Sequence, residues 1–404
     1  MIRDNSSVMK IQNFAKYWAL NPKITFLNHG SFGACPIPVL QAQERIRKKM
    51  ETNPVRFFSS ELDELLDNAR RDLASFIGAD PNDLVFVPNA TTGVNTVLRS
   101  FSFKSGDEIL TTNHAYNACR NALKFIAKQT GAKLIEAKVP FPIQSPDQVL
   151  ERIMRKVTTK TKLVFIDHAT SPTALVFPVE QLVKTLYKEG IETLVDGAHA
   201  PGMIPLNVSK IGAAFYTGNC HKWLCAPKGA GFLVVRKDLK KMIHPLSISH
   251  GYKAPKTARP RFHVEFDWTG TDDPSPYLCV PEAIKFMGSL LKGGWTDLME
   301  RNRSLALQAR EILCEALSIE PPCSPEMIGS MAALPLFQDS LIFKSSDNSI
   351  GPVQSMIFEK YGIEAPIMRW PSKKNRLIRI SAQIYNVPRH YKKLANALKK
   401  ELCV

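Results

Sequence analysis

A lysine and an aspartate, 26 positions apart at 222 and 196, are the side chains that most clearly indicate covalent chemistry. Asp196 ends a buried strand-like run, and Lys222 lies between His221 and Trp223, ahead of a Pro-Lys-Gly-Ala-Gly turn. A lysine amine forms a Schiff base with an aldehyde, and a buried carboxylate keeps a pyridine nitrogen protonated. Taken singly, Lys222 would be a surface lysine and Asp196 a helix cap. Together they predict a pyridoxal phosphate site.

The turn at residues 89–95, between a predicted strand and a predicted helix, has the composition of an anion site. It reads Asn-Ala-Thr-Thr-Gly-Val-Asn, with Thr91, Thr92 and Gly93 at its centre. Backbone amides at a helix N-terminus attract anions, and glycine lets the backbone approach a ligand closely. In isolation these residues would indicate a Thr-capped helix. Beside Lys222 they predict the binding site of the cofactor phosphate.

Six segments spread over nearly the whole chain point to one enzyme family. They are LNHGSFGACP (27–36), VPNATTGVN (87–95), DGAHAPG (196–202), HKWL (221–224), WTGTDD (268–273) and IRISAQIYN (378–386). In order and spacing they make the chain resemble the class V aminotransferase family of fold type I enzymes, and most of all its isopenicillin N epimerase-like branch. The resemblance implies pyridoxal 5'-phosphate as the cofactor and a small amino acid as the substrate.

The resemblance assigns further residues to the cofactor phosphate. Thr91 and Thr92 match the family's phosphate contacts, and Asn219 and His221 match a serine and a histidine that also reach the phosphate. Asparagine at position 219 departs from the serine of the desulfurases. Thr271 matches a threonine that reaches the phosphate of the partner subunit, so the resemblance implies a homodimer.

Residues around the cofactor ring follow from the same resemblance. His114 matches a histidine that stacks over the ring, although Tyr116 is near enough in sequence to take that place. His199, three residues after Asp196, occupies a position that is glutamine or histidine in the family and reaches the region of the ring's 3′ oxygen. Thr170 is a second candidate for a hydrogen bond to that oxygen.

An amino-acid substrate needs a partner for its carboxylate, which a planar guanidinium binds with two hydrogen bonds. Arg379, in the run IRIS, matches the family's arginine for this group. The N-terminal loop that borders the substrate in relatives matches Asn28, His29 and Gly30. Tyr116 is a further candidate for contact with the substrate.

A missing cysteine narrows the reaction type. Desulfurases of this family carry a nucleophilic cysteine on the segment that corresponds to residues 344–376, and this sequence has none there. Cα epimerisation, β-elimination from a sulfur-bearing amino acid and transamination remain, and all begin with removal of the Cα proton by Lys222. The sequence favours an epimerase-like or lyase reaction over transamination. Epimerisation also requires a donor on the opposite face, for which His114 and Tyr116 are candidates.

The elements that position these residues alternate along residues 60–235. Short runs rich in Val, Ile and Phe alternate with amphipathic stretches, which predicts an α/β domain with a mostly parallel seven-stranded sheet. This is the large domain of the fold type I, aspartate aminotransferase-like architecture that the resemblance implies. Its ligand site is expected at the strand ends. The predicted strands are 84–87, 108–111, 133–137, 163–167, 193–196, 213–216 and 231–235.

Three regions are predicted along the chain. Residues 1–60 contribute to the small domain and the substrate edge, residues 61–285 form the large cofactor-binding domain, and residues 286–404 form a small α+β C-terminal domain. Further elements are expected at strands 332–337, 340–344 and 376–381, at helices 353–361 and 390–402, and in a long helix 277–317 with a break at 292–294. Residues 240–276 are predicted to be a long irregular loop.

The composition is that of an ordinary globular chain. Of 404 residues, 44% are hydrophobic and 22% charged, with 21 Gly, 28 Pro and 8 Cys, which excludes disordered, collagenous and disulfide-stapled classes. The cysteines form no Cys-X-X-Cys pair and no zinc-like spacing, so we expect reduced thiols, no metal and a cytoplasmic location. No apolar run approaches the length of a membrane span, so no membrane partner is expected. Ile11, Phe14 and Trp18 lie on one stripe of a predicted docking helix.

The net charge of +16 is the unusual property. It raises one non-enzyme alternative, a basic nucleic-acid-binding module on a retained fold, supported by the Lys/Arg-rich runs 373–376 and 389–393. Neither run has the interleaved aromatic residues of a known binding motif. We therefore predict no nucleic-acid partner and interpret most of the charge as a solvated, lysine-rich surface.

Overall fold

A seven-stranded sheet forms the centre of the molecule. The computed structural model describes residues 14–255, 258–336, 351–372 and 375–402. Within them the strands are β1 (Thr25–Phe26), β2 (Leu84–Val87), β3 (Glu108–Thr112), β4 (Lys133–Ala137), β5 (Thr161–Asp167), β6 (Glu192–Gly197), β7 (Phe215–Asn219), β8 (Gly231–Val235), β9 (Met331–Leu336), β10 (Ile363–Glu364), β11 (Ile367–Arg369) and β12 (Arg376–Ser381). The large sheet has the order β2-β8-β7-β6-β5-β3-β4. Strand β8 is antiparallel to both neighbours and the other pairs are parallel, which confirms the predicted sheet.

Helices cover both faces of this sheet and build the C-terminal part. They are α1 (His29–Phe32), α2 (Ile37–Thr52), α3 (Pro54–Arg56), α4 (Leu62–Ile77), α5 (Ala90–Ser100), α6 (Asn117–Thr130), α7 (Asp147–Met154), α8 (Val179–Lys188), α9 (Val208–Ile211), α10 (Arg261–Asp267), α11 (Ser275–Leu278), α12 (Val280–Gly288), α13 (Gly294–Leu317), α14 (Pro352–Tyr361) and α15 (Pro388–Leu402). Within the described residues, no helix combines the length and the apolar character that crossing a membrane requires.

The central strands are apolar on both faces because helices bury both faces. Side chains alternate between the faces along each strand. On one face, packed against α5 and α6, lie Leu163, Phe165, Leu194 and Phe215. On the opposite face, packed with α8, lie Val164, Ile166, Val195 and Tyr216. The polar residues that follow these runs are therefore pushed to the carboxyl ends of the strands, where ligand sites of open parallel sheets form.

The C-terminal part is a separate antiparallel sheet, in the order β11-β12-β9, with α13 and α15 packed near it. A short parallel pair joins the N-terminal segment to this part, because Thr25 pairs with Ile363 and Phe26 with Glu364. The domain boundaries at residues 60 and 285 stay a prediction. The expected strand at 340–344, and Ile11 of the expected docking helix, lie outside the described residues.

Several elements differ from the sequence-based expectations. The strand predicted at 213–216 begins at Phe215 and continues to Asn219. The segment 240–276, predicted to be irregular, contains α10, and its end starts α11. The long helix predicted from residue 277 breaks near the predicted position 292–294, because α12 ends at Gly288 and α13 begins at Gly294, whose φ is 67°. It differs from the prediction in a further division, between α11 and α12. At Phe14–Tyr17 the chain forms a single 3-10 turn.

Candidate active site

Lys222 follows β7 at the carboxyl edge of the sheet. Its Nζ lies 3.2 Å from Nε2 of His199. Burial, and then the positive charge of Arg379, lower the pKa of the amine to about 8, while Asp196 acts in the opposite direction. The lysine that the sequence singles out therefore has an amine that loses its proton far more readily than an exposed lysine.

The DGAHAPG turn packs directly onto the segment that carries Lys222. Gly202 has a φ of 82°, and a β-carbon there would lie 2.7 Å from the backbone carbon of Trp223. This close approach brings His199, which is 2% exposed, between two side chains. Trp223 donates its indole N–H to His199 Nδ1 at 3.3 Å, and Lys222 lies at the other ring nitrogen.

Asp196 is the penultimate residue of β6 and is buried, at 3% exposure. One oxygen accepts the backbone N–H of Ala198 at 2.9 Å, and the other accepts the thiol of Cys119 at 3.3 Å. Asp167 is its register partner on β5, so two carboxyl groups face the same side of the sheet. Burial raises the pKa of both, and the charge of Asp196 raises that of Asp167 further.

The turn before α5 is organised by two asparagines. Asn89 caps the helix, accepting the backbone N–H of Thr92 at 2.9 Å and its hydroxyl at 3.2 Å. Asn219, at the end of β7, accepts the backbone N–H of Ala90 at 2.8 Å. The amide oxygen of Asn219 thus ties β7 to the helix N-terminus, and its predicted contact with the phosphate stays a prediction.

Gly93 has no room for a side chain. A β-carbon there would lie 2.2 Å from the hydroxyl oxygen of Thr217 on β7. The close approach that glycine permits at this position is between α5 and the sheet. It brings the helix N-terminus, with Thr91 and Thr92, to the same strand end as Asn219.

His114 and Thr170 belong to one buried network. His114 Nδ1 lies 2.6 Å from Thr173 Oγ1, and its Nε2 lies 3.1 Å from the carbonyl of Val139. Thr170 Oγ1 lies 2.7 Å from Thr173 Oγ1 and also accepts the N–H of Leu175. Burial lowers the pKa of His114 to about 4, so its ring is neutral. The predicted stacking of this ring on the cofactor stays a prediction.

Arg379 is buried and oriented by two serines. Its guanidinium donates to the carbonyl of Ser171 at 2.6 Å, to that serine's hydroxyl at 3.2 Å, and to the hydroxyl of Ser31 at 2.9 Å. Ser31 in turn donates to Asn28 Oδ1 at 2.5 Å. Burial lowers the pKa of Arg379 to about 10. Asn28 thus acts on the arginine through Ser31.

The remaining N-terminal residues of the prediction, His29 and Gly30, contact protein groups. His29 Nε2 lies 3.0 Å from the carbonyl of Lys222, and its Nδ1 lies 2.8 Å from the hydroxyl of Tyr385. The N–H of Gly30 donates to Ser381 Oγ at 3.0 Å. Both residues are buried. Their geometry supports a structural role beside the site.

Three further predicted residues lie at its margins. His221 contacts the carbonyl of Ala230 through Nδ1 at 3.0 Å. Tyr116 has a side chain that is 45% exposed, and its backbone N–H donates to Asp167 at 3.3 Å. Thr271 is exposed. Other residues of its loop, with Thr92, line a cavity of about 230 Å³.

Several contacts in the site involve residues to which the sequence analysis gave no role. They are Ser31, Cys119, Asp167, Ser171 and Trp223. Trp223 and Ser31 lie inside the motifs that carried the resemblance, and Asp167 ends a predicted strand. These positions in the sequence could have indicated that the three residues lie at the site. Cys119 lies in the first turn of α6 and had none.

The residues present fit pyridoxal phosphate. Asp167 Oδ2 and Arg379 Nε are buried and, among the described residues, have no hydrogen-bond partner. Buried polar atoms normally have partners, so these two atoms call for an explanation, and a bound ligand would provide one. The buried carboxylate of Asp196 matches the cofactor's ring nitrogen, and the amine of Lys222 matches its aldehyde. The helix N-terminus beside Thr91 matches its phosphate.

Fold and site together define a pyridoxal phosphate-dependent enzyme of fold type I. The model of the Aminotransferase class-V family matches residues 29–319. The chain belongs to this family.

Known proteins resemble the chain along most of its length. An isopenicillin N epimerase of Amycolatopsis lactamdurans is 33% identical over 396 residues, covering 95% of this chain and 96% of the relative. A probable chloroplastic L-cysteine desulfhydrase of Arabidopsis thaliana is 30% identical, covering 94% and 83%.

Solved structures share the fold. The cystine C-S lyase C-DES, in complex with its product cysteine persulfide, has a TM-score of 0.75 at 20% identity, covering 93% of this chain and 97% of that one. The cysteine desulfurase CsdA of Escherichia coli has a TM-score of 0.77 at 19% identity, covering 98% and 99%. At these identities the likeness concerns the fold alone.

Proposed function

We propose that this enzyme removes the Cα proton of a small amino acid, with the amine of Lys222 as the base. The observation that carries the proposal is the position of this amine, which is 3.2 Å from a neutral histidine and has a pKa lowered to about 8. An amine of that pKa is unprotonated in a useful fraction near neutral pH, as a general base must be.

The other residues hold the cofactor and the substrate. When bound, the cofactor supplies an electron sink that acidifies the Cα–H bond. Asp196 would pair with its ring nitrogen, and Thr91, Thr92 and His221 would hold its phosphate. Arg379, already oriented by Ser31 and Ser171, would bind the substrate carboxylate.

Between the candidate reactions, we favour β-elimination from a sulfur-bearing amino acid. In that reaction the Cα proton passes to Lys222, the Cβ–S bond breaks, and the leaving sulfur takes up a proton. One base suffices. His114, a candidate for the second acid that epimerisation needs, has both ring nitrogens engaged with Thr173 and Val139. Relatives named as L-cysteine desulfhydrases support this choice.

Epimerisation is the second candidate, and Tyr116 is the observation that favours it. This residue is 45% exposed, which supports access of its phenol to a substrate. Two relatives named isopenicillin N epimerase, at 33% and 31% identity, support it. In this reaction a proton added to the opposite face of Cα would invert its configuration.

The two reactions separate in one experiment. Holoenzyme in D₂O is incubated with L-cysteine, S-substituted cysteines and a panel of L- and D-amino acids, and solvent deuterium at Cα, pyruvate, sulfur products and chirality are measured. Pyruvate with a released thiol supports elimination, and inversion with deuterium incorporation supports epimerisation. If no substrate gives a product or takes up deuterium at Cα, the proposal is overturned. Lys222→Ala should abolish exchange, whereas Lys228→Ala, at an exposed lysine of the same segment, should retain it.

We also propose that the chain acts as a cytoplasmic homodimer in which Thr271 reaches the partner subunit's cofactor phosphate. The exposure of this side chain supports the proposal. Light scattering of wild-type protein should give twice the mass of the 45.2 kDa chain. Thr271→Ala should weaken cofactor binding. A monomeric wild-type protein, together with unchanged cofactor affinity in Thr271→Ala, would contradict the assignment.

A further inference from the structure

Trp223 contacts the histidine that lies beside Lys222 and belongs to the same buried cluster. Its side chain is 1% exposed and packs with Met203 and Met331, and its ring lies 4.9 Å from that of His29. The indole N–H points to His199 Nδ1 at 3.3 Å. Because the indole is held by packing on several sides, the direction of this N–H is fixed by the core.

The contact determines where His199 carries its proton. An indole nitrogen is only a donor, so Nδ1 must be the accepting, unprotonated nitrogen. A neutral imidazole has one proton, which then sits on Nε2, the atom that faces Lys222 Nζ. The cationic form, with protons on both nitrogens, would lose the indole contact. Burial lowers the pKa of His199 and so opposes that form as well, as do the nearby Lys222, Arg379 and His221, while the buried Asp196 acts on the charge of Lys222.

We infer that Trp223 is a positioning residue that holds His199 in its Nε2–H tautomer, so that His199 presents a hydrogen-bond donor to the unprotonated Lys222 amine and to the cofactor bound there. Without the indole, the two neutral tautomers would exchange, and in one of them His199 would present a lone pair to the amine. The inference deepens the proposed function, because it assigns the group that sets the polarity of the pocket around Lys222.

A glutamine at position 199 provides the decisive comparison. An amide carries an N–H donor whatever its neighbour does, and it has no tautomers. Trp223→Phe keeps an aromatic ring, although a smaller one, and removes the N–H donor. Its effect should therefore be present with His199 and absent with His199→Gln. Trp295→Phe is the control, since that indole also donates a hydrogen bond, to the carbonyl of Ile284 at 2.9 Å in a half-buried position away from the site.

The first measurement is independent of activity. Full-length protein labelled with ¹⁵N-histidine, with and without cofactor, is examined by long-range ¹H–¹⁵N correlation, and His199→Gln assigns the signal. At a pH above about 8, where the Lys222 amine is unprotonated, wild-type protein should show a protonated Nε2 and an unprotonated Nδ1 at His199. Trp223→Phe should show averaged shifts, and Trp295→Phe should not change them. A protonated Nδ1 in the wild type, or unchanged shifts in Trp223→Phe, would overturn the inference even if the enzyme binds its cofactor as proposed.

The second measurement uses the visible band of the bound cofactor. A hydrogen-bond donor to the cofactor's 3′ oxygen would weaken the hydrogen bond between that oxygen and the protonated nitrogen of Lys222 in its Schiff base. Loss of this donor should therefore raise the pH midpoint of the band by about half to one pH unit. Trp223→Phe should show this rise, and Trp223→Phe in the His199→Gln background should match His199→Gln alone. An equal rise in both backgrounds would show a packing effect only and would overturn the inference. Protein that never shows a band would contradict the proposed function, while the NMR result would still decide the tautomer.

Discussion

The carbonyl oxygen of Lys222 accepts a hydrogen bond from His29 Nε2 at 3.0 Å. Because a carbonyl only accepts, Nε2 carries the proton and Nδ1 accepts from the Tyr385 hydroxyl at 2.8 Å. Burial lowers the pKa of His29 to about 3, which keeps the ring neutral. The N-terminal loop therefore fixes the backbone that carries the candidate catalytic lysine, across 193 positions of sequence.

Replacing His29 with alanine should destabilise the protein by roughly 2–4 kcal/mol, because a buried carbonyl and a buried hydroxyl both lose their partner. Urea unfolding of the cofactor-free protein measures this. His390→Ala is the control, since that ring is half-buried and, within the described part of the chain, its hydrogen bond is a long one, from the N–H of Val387 at 3.4 Å. It should cost less than about 1 kcal/mol. Equal losses in the two variants would contradict the bracing role.

Gly33 packs the N-terminal loop against the backbone of His221 and Lys222. Alanine at this position should therefore lower the stability of the protein far more than alanine at a comparable glycine. Gly33 and Gly190 have φ values of 69° and 70°. A β-carbon on Gly33 would lie 2.0 Å from the His221 carbonyl oxygen, whereas at Gly190 nothing lies within 4 Å. Gly190→Ala should cost only the left-handed strain, about 1–2 kcal/mol. Gly33→Ala should exceed that and weaken cofactor binding, as unfolding curves and spectral titration would show.

The large sheet could be predicted because its strands are buried on both faces and read as continuous apolar runs, such as 163–167. The break between α12 and α13 was predicted close to its position, at 292–294, but the end of α12 at Gly288 and the helix α10 were harder to place. Their residues are held by tertiary contacts, as at Gly288, where a β-carbon would meet the Trp295 ring at 2.9 Å. Contacts of this kind leave no periodic signal in the sequence.

Candidate site residues could be named from motifs, but the partners of their side chains could not. The sequence placed His29 and Asn28 beside the substrate. Only the fold shows that His29 is hydrogen-bonded to the backbone carbonyl of Lys222 and that Asn28 acts on Arg379 through Ser31. Cys119 reaches Asp196 from a helix 77 positions earlier. Motif matching assigns residues to positions in the chain, whereas hydrogen bonds depend on side-chain directions that only packing determines.

Attachment of pyridoxal phosphate to cofactor-free protein should accelerate as the pH rises through about 8, because only the unprotonated amine of Lys222 attacks the aldehyde. An exposed lysine would give a midpoint near 10.4. Arg379→Gln removes a nearby positive charge that lowers this pKa, so its midpoint should move upward. Stopped-flow absorbance across pH measures both, with Lys228→Gln as the unchanged control. A wild-type midpoint near that of free lysine would contradict the burial of the amine.

Arg379→Lys should raise KM for an amino-acid substrate by about 10- to 100-fold, because lysine cannot make the two parallel hydrogen bonds of a guanidinium to a carboxylate. The absorbance of the bound cofactor should not change. Ser31→Ala removes one orienting contact, at 2.9 Å, and should give a smaller rise in KM. Steady-state kinetics with spectral titration separates the two effects. A loss of cofactor affinity with unchanged KM would place Arg379 outside the substrate site.

Asp167→Asn should leave cofactor affinity near the wild-type value, whereas Asp196→Asn should reduce it strongly. Burial and the neighbouring charge of Asp196 hold the pKa of Asp167 well above its usual range, which favours the neutral form that asparagine imitates. A raised native pKa means that the unfolded chain loses this proton first, so stability falls as the pH rises above about 4, the ordinary carboxyl pKa. Asp167→Asn should remove that part of the pH dependence, which urea unfolding from pH 4 to 8 would measure. Equal losses of cofactor affinity in the two variants would show that Asp167 is ionised and contributes charge to the site.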